Sequence, residues 1–310
     1  MAVSRVAAID CGTNSIRLLI ADLSGERLRD VHRETRIVRL GQGVDATGEF
    51  APEAIERTKQ ALVDYAALIK AHDAQRVRMV ATSAARDVAN RDVFFAMTGD
   101  VLGTVAEVIT GAEEASLSFR GAVGELDGAG APFVVVDLGG GSTEIVLGSD
   151  SVTASYSADI GCVRLTERCL HSDPPTAQEV EAARHVVRER LDAALRAVPV
   201  EGARTWVGLA GTMTTLSALA HNMTVYDAAA IHLSRVSGPD LLSVCDRLIG
   251  MTRSQRAALA PMHEGRADVI GGGAIVVQEL ARELRDRAGI DELTVSEHDI
   301  LDGIALSIAP

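Results

Sequence analysis

Two short segments of the chain combine an acidic residue with small residues that can donate hydrogen bonds. Residues 10–15 read DCGTNS and residues 137–144 read DLGGGSTE, and each follows an apolar run. Successive backbone N–H groups in such a turn can bind an anion, and glycine lets the anion approach the main chain. A carboxylate at the end of the strand can hold a divalent cation. Either turn alone is equally consistent with a structural hairpin, but the pair indicates a phosphate site.

Two common nucleotide-binding motifs do not fit these turns. Neither is followed by the Gly-Lys-Ser/Thr of a Walker loop. The dinucleotide fingerprint requires a helix after the glycines, whereas a strand is predicted after Gly141.

Composition narrows the classes of protein further. The chain has 310 residues, with 30 Lys and Arg against 43 Asp and Glu, so its formal net charge is −13. Such a surface repels nucleic acid and anionic membranes. The four cysteines, Cys11, Cys162, Cys169 and Cys245, have no metal-ligand or disulfide-framework spacing. No signal region or membrane-length apolar run is found, so we expect a cytoplasmic protein with no nucleic-acid or membrane partner.

Strands and helices alternate along the chain, which predicts an α/β architecture. Strands are predicted at 5–9, 16–22, within 28–40, and at 77–81, 105–109, 133–136, 144–148, 152–157 and 205–209. Helices are predicted at 52–71, 84–88, 91–97, 112–123, 179–198, 213–220, 267–288 except for the glycines 271–273, and 300–308.

The pattern of apolar strand, Asp, small-residue turn and second strand occurs once in each half. This repetition predicts a duplicated domain whose turns face each other across a cleft. The glycine-rich residues 124–131 are the best linker. We expect lobes at 1–127 and 128–297, with the last helix, about 298–310, packing back on the first lobe.

The two turns and three further segments resemble the exopolyphosphatase/guanosine pentaphosphate phosphohydrolase family of the actin-like, sugar-kinase and Hsp70 ATPase superfamily. The further segments are 82–86 (TSAAR), 109–115 (ITGAEEA) and 208–212 (GLAGT), and 268–274 (DVIGGGA) matches more weakly. The resemblance implies two actin-like, ribonuclease H-like lobes with a phosphate-binding cleft between them, and a homodimer.

A pair of acidic residues opens the helix predicted at 112–123. From the residues alone, Glu113 and Glu114 fit equally a general base and acids favoured by the helix dipole. The resemblance assigns the catalytic base to Glu114, with Glu113 as the fallback.

The same resemblance implies a set of ligands for phosphate and metal. Asp137 and Glu144 resemble the family's magnesium-associated acids, and Asp10 is a third candidate, so Mg²⁺ or another divalent cation is the expected cofactor. Taken alone, Arg86 would be a surface ion-pair partner, and residues 211 and 212 would cap a helix. The predicted phosphate-binding residues are Gly12, Thr13, Asn14, Ser15, Arg86, Gly139, Gly140, Gly141, Ser142, Thr143, Gly211 and Thr212.

The function expected from this resemblance is hydrolysis of a terminal phosphoanhydride, in inorganic polyphosphate or in guanosine pentaphosphate. Longer family members carry an additional helical C-terminal region, so we expect short polyphosphate chains or nucleotide substrates here. The alternatives are a kinase or ATPase of the same superfamily and a sensor that binds without turnover. Cys11 is interpreted as a packing residue, and the histidines, among them His232, as surface or capping residues.

Overall fold

A computed structural model describes residues 3–25, 27–86 and 88–308. These residues form two compact units, the first ending at Gly121 and resuming at Asp299, the second running from Ala122 to His298. The boundaries expected from the sequence, 127/128 and 297/298, lie close to these divisions. No helix in the described ranges is long and apolar enough to cross a membrane.

Each unit contains one β-sheet, and the strands are short and mostly apolar. The first sheet is formed by β1 (Ser4–Cys11), β2 (Ser15–Ser24), β3 (Arg27–Ile37), β4 (Arg76–Ala81) and β5 (Glu107–Val108). The second is formed by β6 (Phe133–Leu138), β7 (Thr143–Gly148), β8 (Val152–Ala158), β9 (Thr205–Leu209), β10 (Ser234–Ser237) and β11 (Glu292–Val295).

The two sheets repeat one topology. The first has the strand order β3-β2-β1-β4-β5, and the second contains the matching order β8-β7-β6-β9-β11, with β10 added at the edge. In both, the first three strands are antiparallel and the next pairings are parallel. Strands β1 and β6 lie at the centre, which explains why their sequences are almost continuously apolar. The predicted fold class, α/β with two ribonuclease H-like units, is confirmed.

The helices lie between the strands in sequence and supply the remaining core. They are α1 (Val44–Thr47), α2 (Pro52–Ala71), α3 (Ser83–Arg86), α4 (Arg91–Leu102), α5 (Gly111–Val123), α6 (Cys162–Cys169), α7 (Ala177–Ala197), α8 (Ala210–Ala220), α9 (Ala228–Ile231), α10 (Gly238–Gly250), α11 (Arg253–Ala257), α12 (Ile270–Ala288) and α13 (Ile300–Ser307), with single 3₁₀ turns at Val200–Gly202, Gly128–Gly130 and Glu264–Arg266. Helix α2 has the predicted bounds because Pro52 fixes its first turn and its apolar residues recur at helical spacing.

The sequence prediction was wrong at residues 271–273, which are helical. All three glycines belong to α12, where they allow close packing. A Cβ at Gly272 would lie 2.8 Å from the Cys162 carbonyl oxygen of α6, and one at Gly273 would lie 2.8 Å from the Thr212 side chain of α8. The low helix propensity of glycine is offset by these contacts.

Helices α5 and α13 cross with their backbones almost touching. A Cβ at Gly121 would lie 1.8 Å from the Asp299 carbonyl oxygen, and one at Gly303 would lie 2.0 Å from the Leu117 carbonyl oxygen. Only glycine is compatible with this distance, because the colliding atoms belong to the backbone and cannot rotate away. The crossing fixes α13 against the first sheet, where Ile300, Leu301 and Ile304 join its core.

Substitution of Gly121 by alanine tests this crossing. We expect Gly121→Ala to lower the free energy of unfolding by about 2–4 kcal/mol, since either helix must shift to relieve the overlap. Gly124→Ala, three residues later, is the control, because a Cβ there meets nothing within 4 Å. Denaturant unfolding measures both, and equal stabilities of the two variants would contradict the close crossing.

Candidate functional site

The two acidic turns have the same geometry. The N–H of Gly12 donates to the Ser15 carbonyl oxygen at 2.9 Å, and the N–H of Gly139 donates to the Ser142 carbonyl oxygen at 3.0 Å. Each bond closes a tight hairpin at the end of the central strand of its sheet. The N–H groups of Gly12 and Gly139 are therefore used within the turns.

The next two N–H groups in each turn are available to a ligand. Those of Thr13, Asn14, Gly140 and Gly141 have no hydrogen-bond partner among the residues that the structure describes. Adjacent unpaired N–H groups form a concave donor site that binds anions. Each unit thus offers the backbone donors that a phosphate group requires.

Neighbouring backbone holds the first turn in this orientation. The Thr13 carbonyl accepts the N–H of Gly41 at 2.9 Å, and the Asn14 carbonyl accepts those of Val38 and Arg39 at 3.1 and 2.8 Å. The Thr13 hydroxyl lies 3.0 Å from that of Ser83, at the start of α3. Since the carbonyl groups are bound on one side, the N–H groups are left for the other.

Helix α6 holds the second turn in the same manner. Its first N–H groups, of Cys162, Val163 and Arg164, donate to the carbonyl oxygens of Gly139 and Gly140 at 2.9–3.0 Å. The N–H groups at the start of α6, which have no partner within the helix, therefore bind the carbonyl groups of the turn. The predicted phosphate ligand Thr143 is fully buried, and its hydroxyl donates to the Ile160 carbonyl, so this side chain supports the turn.

The residue opposite the acid differs between the two hairpins. Asp10 pairs across the strands with Arg17, whereas Asp137 pairs with Glu144. Directly opposed residues lie on the same face of a sheet, where two like charges repel. Asp137 is 7% exposed and Glu144 is 1% exposed, and Glu144 accepts the Ser157 hydroxyl at 2.7 Å. Paired, buried carboxylates fit a hard divalent cation.

Asp10 is a further candidate for the cation. The residue is 4% exposed, and burial raises the pKa of its carboxyl, against the opposing effect of Arg17. Oδ2 accepts two hydrogen bonds from Arg17, at 2.9 and 2.7 Å. Oδ1 is buried and has no hydrogen-bond partner among the described residues. A buried carboxylate oxygen without a donor is costly, and a bound cation would satisfy it.

Arg86 and Glu114 are brought together from different helices. Arg86 Nη1 donates to Glu114 Oε2 at 2.8 Å and to the Ile109 carbonyl at 3.0 Å. Glu114 is 7% exposed, whereas the side chain of Glu113 is 45% exposed and pairs with Arg78 at 2.8 Å. The two adjacent acids therefore have different surroundings, and only Glu114 is held beside a predicted phosphate ligand.

Sheet topology places these first-unit groups at one edge. Strands β1, β4 and β5 are parallel neighbours, with Cys11 opposite Ala81 and Ala81 opposite Val108. The segments that leave their carboxyl ends carry the first turn, Ser83 and the start of α5. In α/β sheets, ligands bind outside the carboxyl ends of parallel strands.

Arg266, which the sequence analysis did not select, contacts Gly211 in the predicted phosphate-binding segment 208–212. Arg266 Nη1 donates to the Gly211 carbonyl at 2.8 Å, and a Cβ at Gly211 would lie 1.9 Å from Arg266 Cζ. The preceding residue, Ala210, has a φ of 66°, a strained value for a residue with a side chain. No local motif marks Arg266, because its partner lies 55 residues away.

A second group missed by the sequence analysis consists of Glu125, His232 and His298. Their ligand atoms lie within 4.8 Å of one another, although His232 and Glu125 are 107 residues apart. The N–H of Glu297 donates to His232 Nδ1 at 3.2 Å, so Nε2 carries the proton and donates to Glu125 at 2.8 Å. This proton occupies the nitrogen that a metal would need, and the group is explained as a hydrogen-bonded cluster.

Comparison with known proteins places the chain among phosphatases. The model of the Ppx/GppA phosphatase family matches residues 19–308. The chain is 81% identical to exopolyphosphatase 2 of Mycobacterium tuberculosis over the whole of both proteins. It is 33% identical to the guanosine-5'-triphosphate,3'-diphosphate pyrophosphatase of Photobacterium profundum, over 68% of this chain and 42% of that protein.

A solved structure of similar sequence has the same fold. The crystal structure of the Ppx/GppA family member from Aquifex aeolicus matches with a TM-score of 0.80 and 32% identity. The match covers 99% of this chain and 98% of that one.

Alkylation tests whether the cysteine in the first turn is a packing residue. Cys11, Cys162 and Cys245 are buried, and burial raises the pKa of Cys162 to about 11. At pH 8 we expect iodoacetamide to modify the half-buried Cys169 first, because the thiolate is the reactive form. Mass spectrometry of native and unfolded protein measures the order, and labelling of Cys11 as fast as Cys169 would contradict it.

Proposed function

The chain belongs to the Ppx/GppA phosphatase family, and on this basis we propose that it hydrolyses the terminal phosphoanhydride bond of inorganic polyphosphate or guanosine pentaphosphate. The observation that carries the proposal is the repeated hairpin, which presents two unpaired N–H groups beside a buried acid in each unit. Backbone donors recognise phosphate without regard to what it is attached to, as both substrates require.

We assign phosphate binding to the N–H groups of Thr13, Asn14, Gly140 and Gly141. The guanidinium groups of Arg86 and Arg266 add charge, since arginine recognises phosphate oxygens through its planar fork. A net charge of −13 is compatible with a polyanionic substrate when binding depends on such local donors. Gly12, Gly139 and Thr143 shape the turns, and Ser15 and Ser142 follow the donors in sequence. Thr212 lies in α8, where its side chain faces Gly273 of α12.

Glu114 is proposed as the general base. It accepts a proton from the water that attacks the terminal phosphorus, while the bond from phosphorus to the bridging oxygen breaks and the shortened chain leaves. Its bond to Arg86 orients the carboxylate, whose surroundings are nearly closed to solvent. Glu113 remains the less favoured choice, because its carboxylate is exposed and bound to Arg78.

Asp137, Glu144 and Asp10 would hold Mg²⁺ or another divalent cation. Such an ion neutralises charge on the phosphate oxygens. Asp137 and Glu144 form the stronger pair, because the hairpin register sets these two buried carboxylates directly opposite each other.

Phosphate release tests the function and the base together. With Mg²⁺, we expect release from short polyphosphate or guanosine pentaphosphate, and a loss of about 10²- to 10⁴-fold in kcat for Glu114→Gln. Glu113→Gln is the matched control and should keep most of the activity. Equal losses in the two variants would contradict the assignment of Glu114.

The same assay separates the alternatives. Release from ATP alone, or transfer of its phosphate to an acceptor, would favour a kinase or ATPase. Tight binding of guanosine pentaphosphate or polyphosphate without release would favour a sensor.

We also propose that the protein is a cytoplasmic homodimer. Light scattering of the purified protein measures its oligomeric state.

The cation site has its own prediction. Glu144→Gln removes one charge of a buried pair, so we expect the Mg²⁺ concentration at half-maximal activity to rise at least about tenfold. Asp150→Asn is the control, because Asp150 is exposed and lies in the turn between β7 and β8. Titration of activity with Mg²⁺ measures both variants, and an unchanged requirement in Glu144→Gln would remove Glu144 from the site.

A further inference from the structure

The N-terminus of α13 is bound to the first sheet by two ion pairs. Asp299 and Asp302 form a capping box, in which Asp299 accepts the N–H of Leu301 and Asp302 accepts that of Asp299, each at 3.0 Å. Each acid also binds an arginine: Asp299 binds Arg17 of β2, and Asp302 binds Arg33 of β3. Asp299 and Asp302 are each 3% exposed.

Arg17 is shared between two carboxylates. Its Nε and Nη2 both donate to Oδ2 of Asp10, while Nη1 binds Oδ2 of Asp299. A guanidinium that faces one carboxylate normally forms two parallel bonds, one to each oxygen. Here a single oxygen of Asp10 takes both bonds, and Oδ1 receives none from the described residues.

Each arginine of this group binds two acids. Asp10 and Asp299 bind Arg17, while Asp302 and the exposed Asp30 bind Arg33. The buried oxygen that has no donor among the described residues belongs to Asp10. A buried carboxylate oxygen without a donor is costly unless a ligand of opposite charge binds to it.

We propose that Asp299 is a positioning residue for the divalent cation, acting through Arg17. By binding Nη1, it stops the guanidinium from turning to pair with both oxygens of Asp10, and Oδ1 stays available to the cation. The proposal rests on the cation site of the proposed function. It gives α13, the last described helix, a role in the site as well as in the core.

Asp299→Asn separates this role from helix capping. Asparagine keeps an oxygen that accepts the N–H of Leu301 but loses the charge that holds Arg17. With Mn²⁺ as the probe and no substrate, we expect the Kd measured by electron paramagnetic resonance to rise about tenfold. Asp302→Asn is the matched control: it sits in the same capping box but pairs with Arg33, and its Kd should stay within about twofold.

A double-mutant cycle shows whether the effect passes through Asp10. In an Asp10→Asn background, Asp299→Asn should no longer change Mn²⁺ binding, because the oxygen that it protects has lost its charge. Asp299→Ser, which also keeps a capping oxygen, replaces the asparagine variant if that variant does not fold.

Three results would overturn the proposal. They are a lack of Mn²⁺ binding by the wild type, equal effects of Asp299→Asn and Asp302→Asn, and a persistent effect of Asp299→Asn after Asp10 is replaced. Mn²⁺ binding without phosphate release from any substrate would instead reject the proposed function and leave the role of Asp299 intact.

Discussion

One backbone hydrogen bond, made twice, is the constraint on which the candidate site depends. The bonds from Gly12 to Ser15 and from Gly139 to Ser142 stop a central strand and reverse it within four residues. A longer turn would let the following N–H groups find partners in the chain. The tight turn leaves two of them unpaired at the edge of each sheet, and the carbonyl groups beside them are fixed by neighbouring backbone. The donors are thus oriented before any ligand arrives, which lowers the entropic cost of binding.

The two hairpins share this backbone but differ in charge. Opposite its acid, one carries Arg17 and the other Glu144. The first hairpin therefore pairs its acid with a guanidinium, while the second places two acids side by side. The residue opposite the acid thus gives the two copies of the hairpin different electrostatic surroundings. The acidic net charge of the chain does not decide what either hairpin binds, because the donors and the charges act over a few ångströms.

Features that depend on residues close together along the chain could be predicted from the sequence. The acidic turns, the bounds of α2 and the alternation of strands and helices follow from local patterns, and they led to the family and the fold class. The helical state of residues 271–273 could not be found in this way, because it depends on packing against α6 and α8. Arg266 and the Glu125–His232 contact were missed for the same reason: both partners are distant in sequence. The roles of the individual site residues remain predictions.

The contact between Gly211 and Arg266 has a consequence for substitutions at position 211. The guanidinium occupies the space of a Cβ, and it lies at the end of a flexible side chain. An alanine at 211 would therefore push the guanidinium aside and break its hydrogen bond to the carbonyl of residue 211, since the atoms nearest to the added Cβ belong to that side chain and not to the backbone. Such a variant would move the positive charge of Arg266 while leaving the second sheet intact.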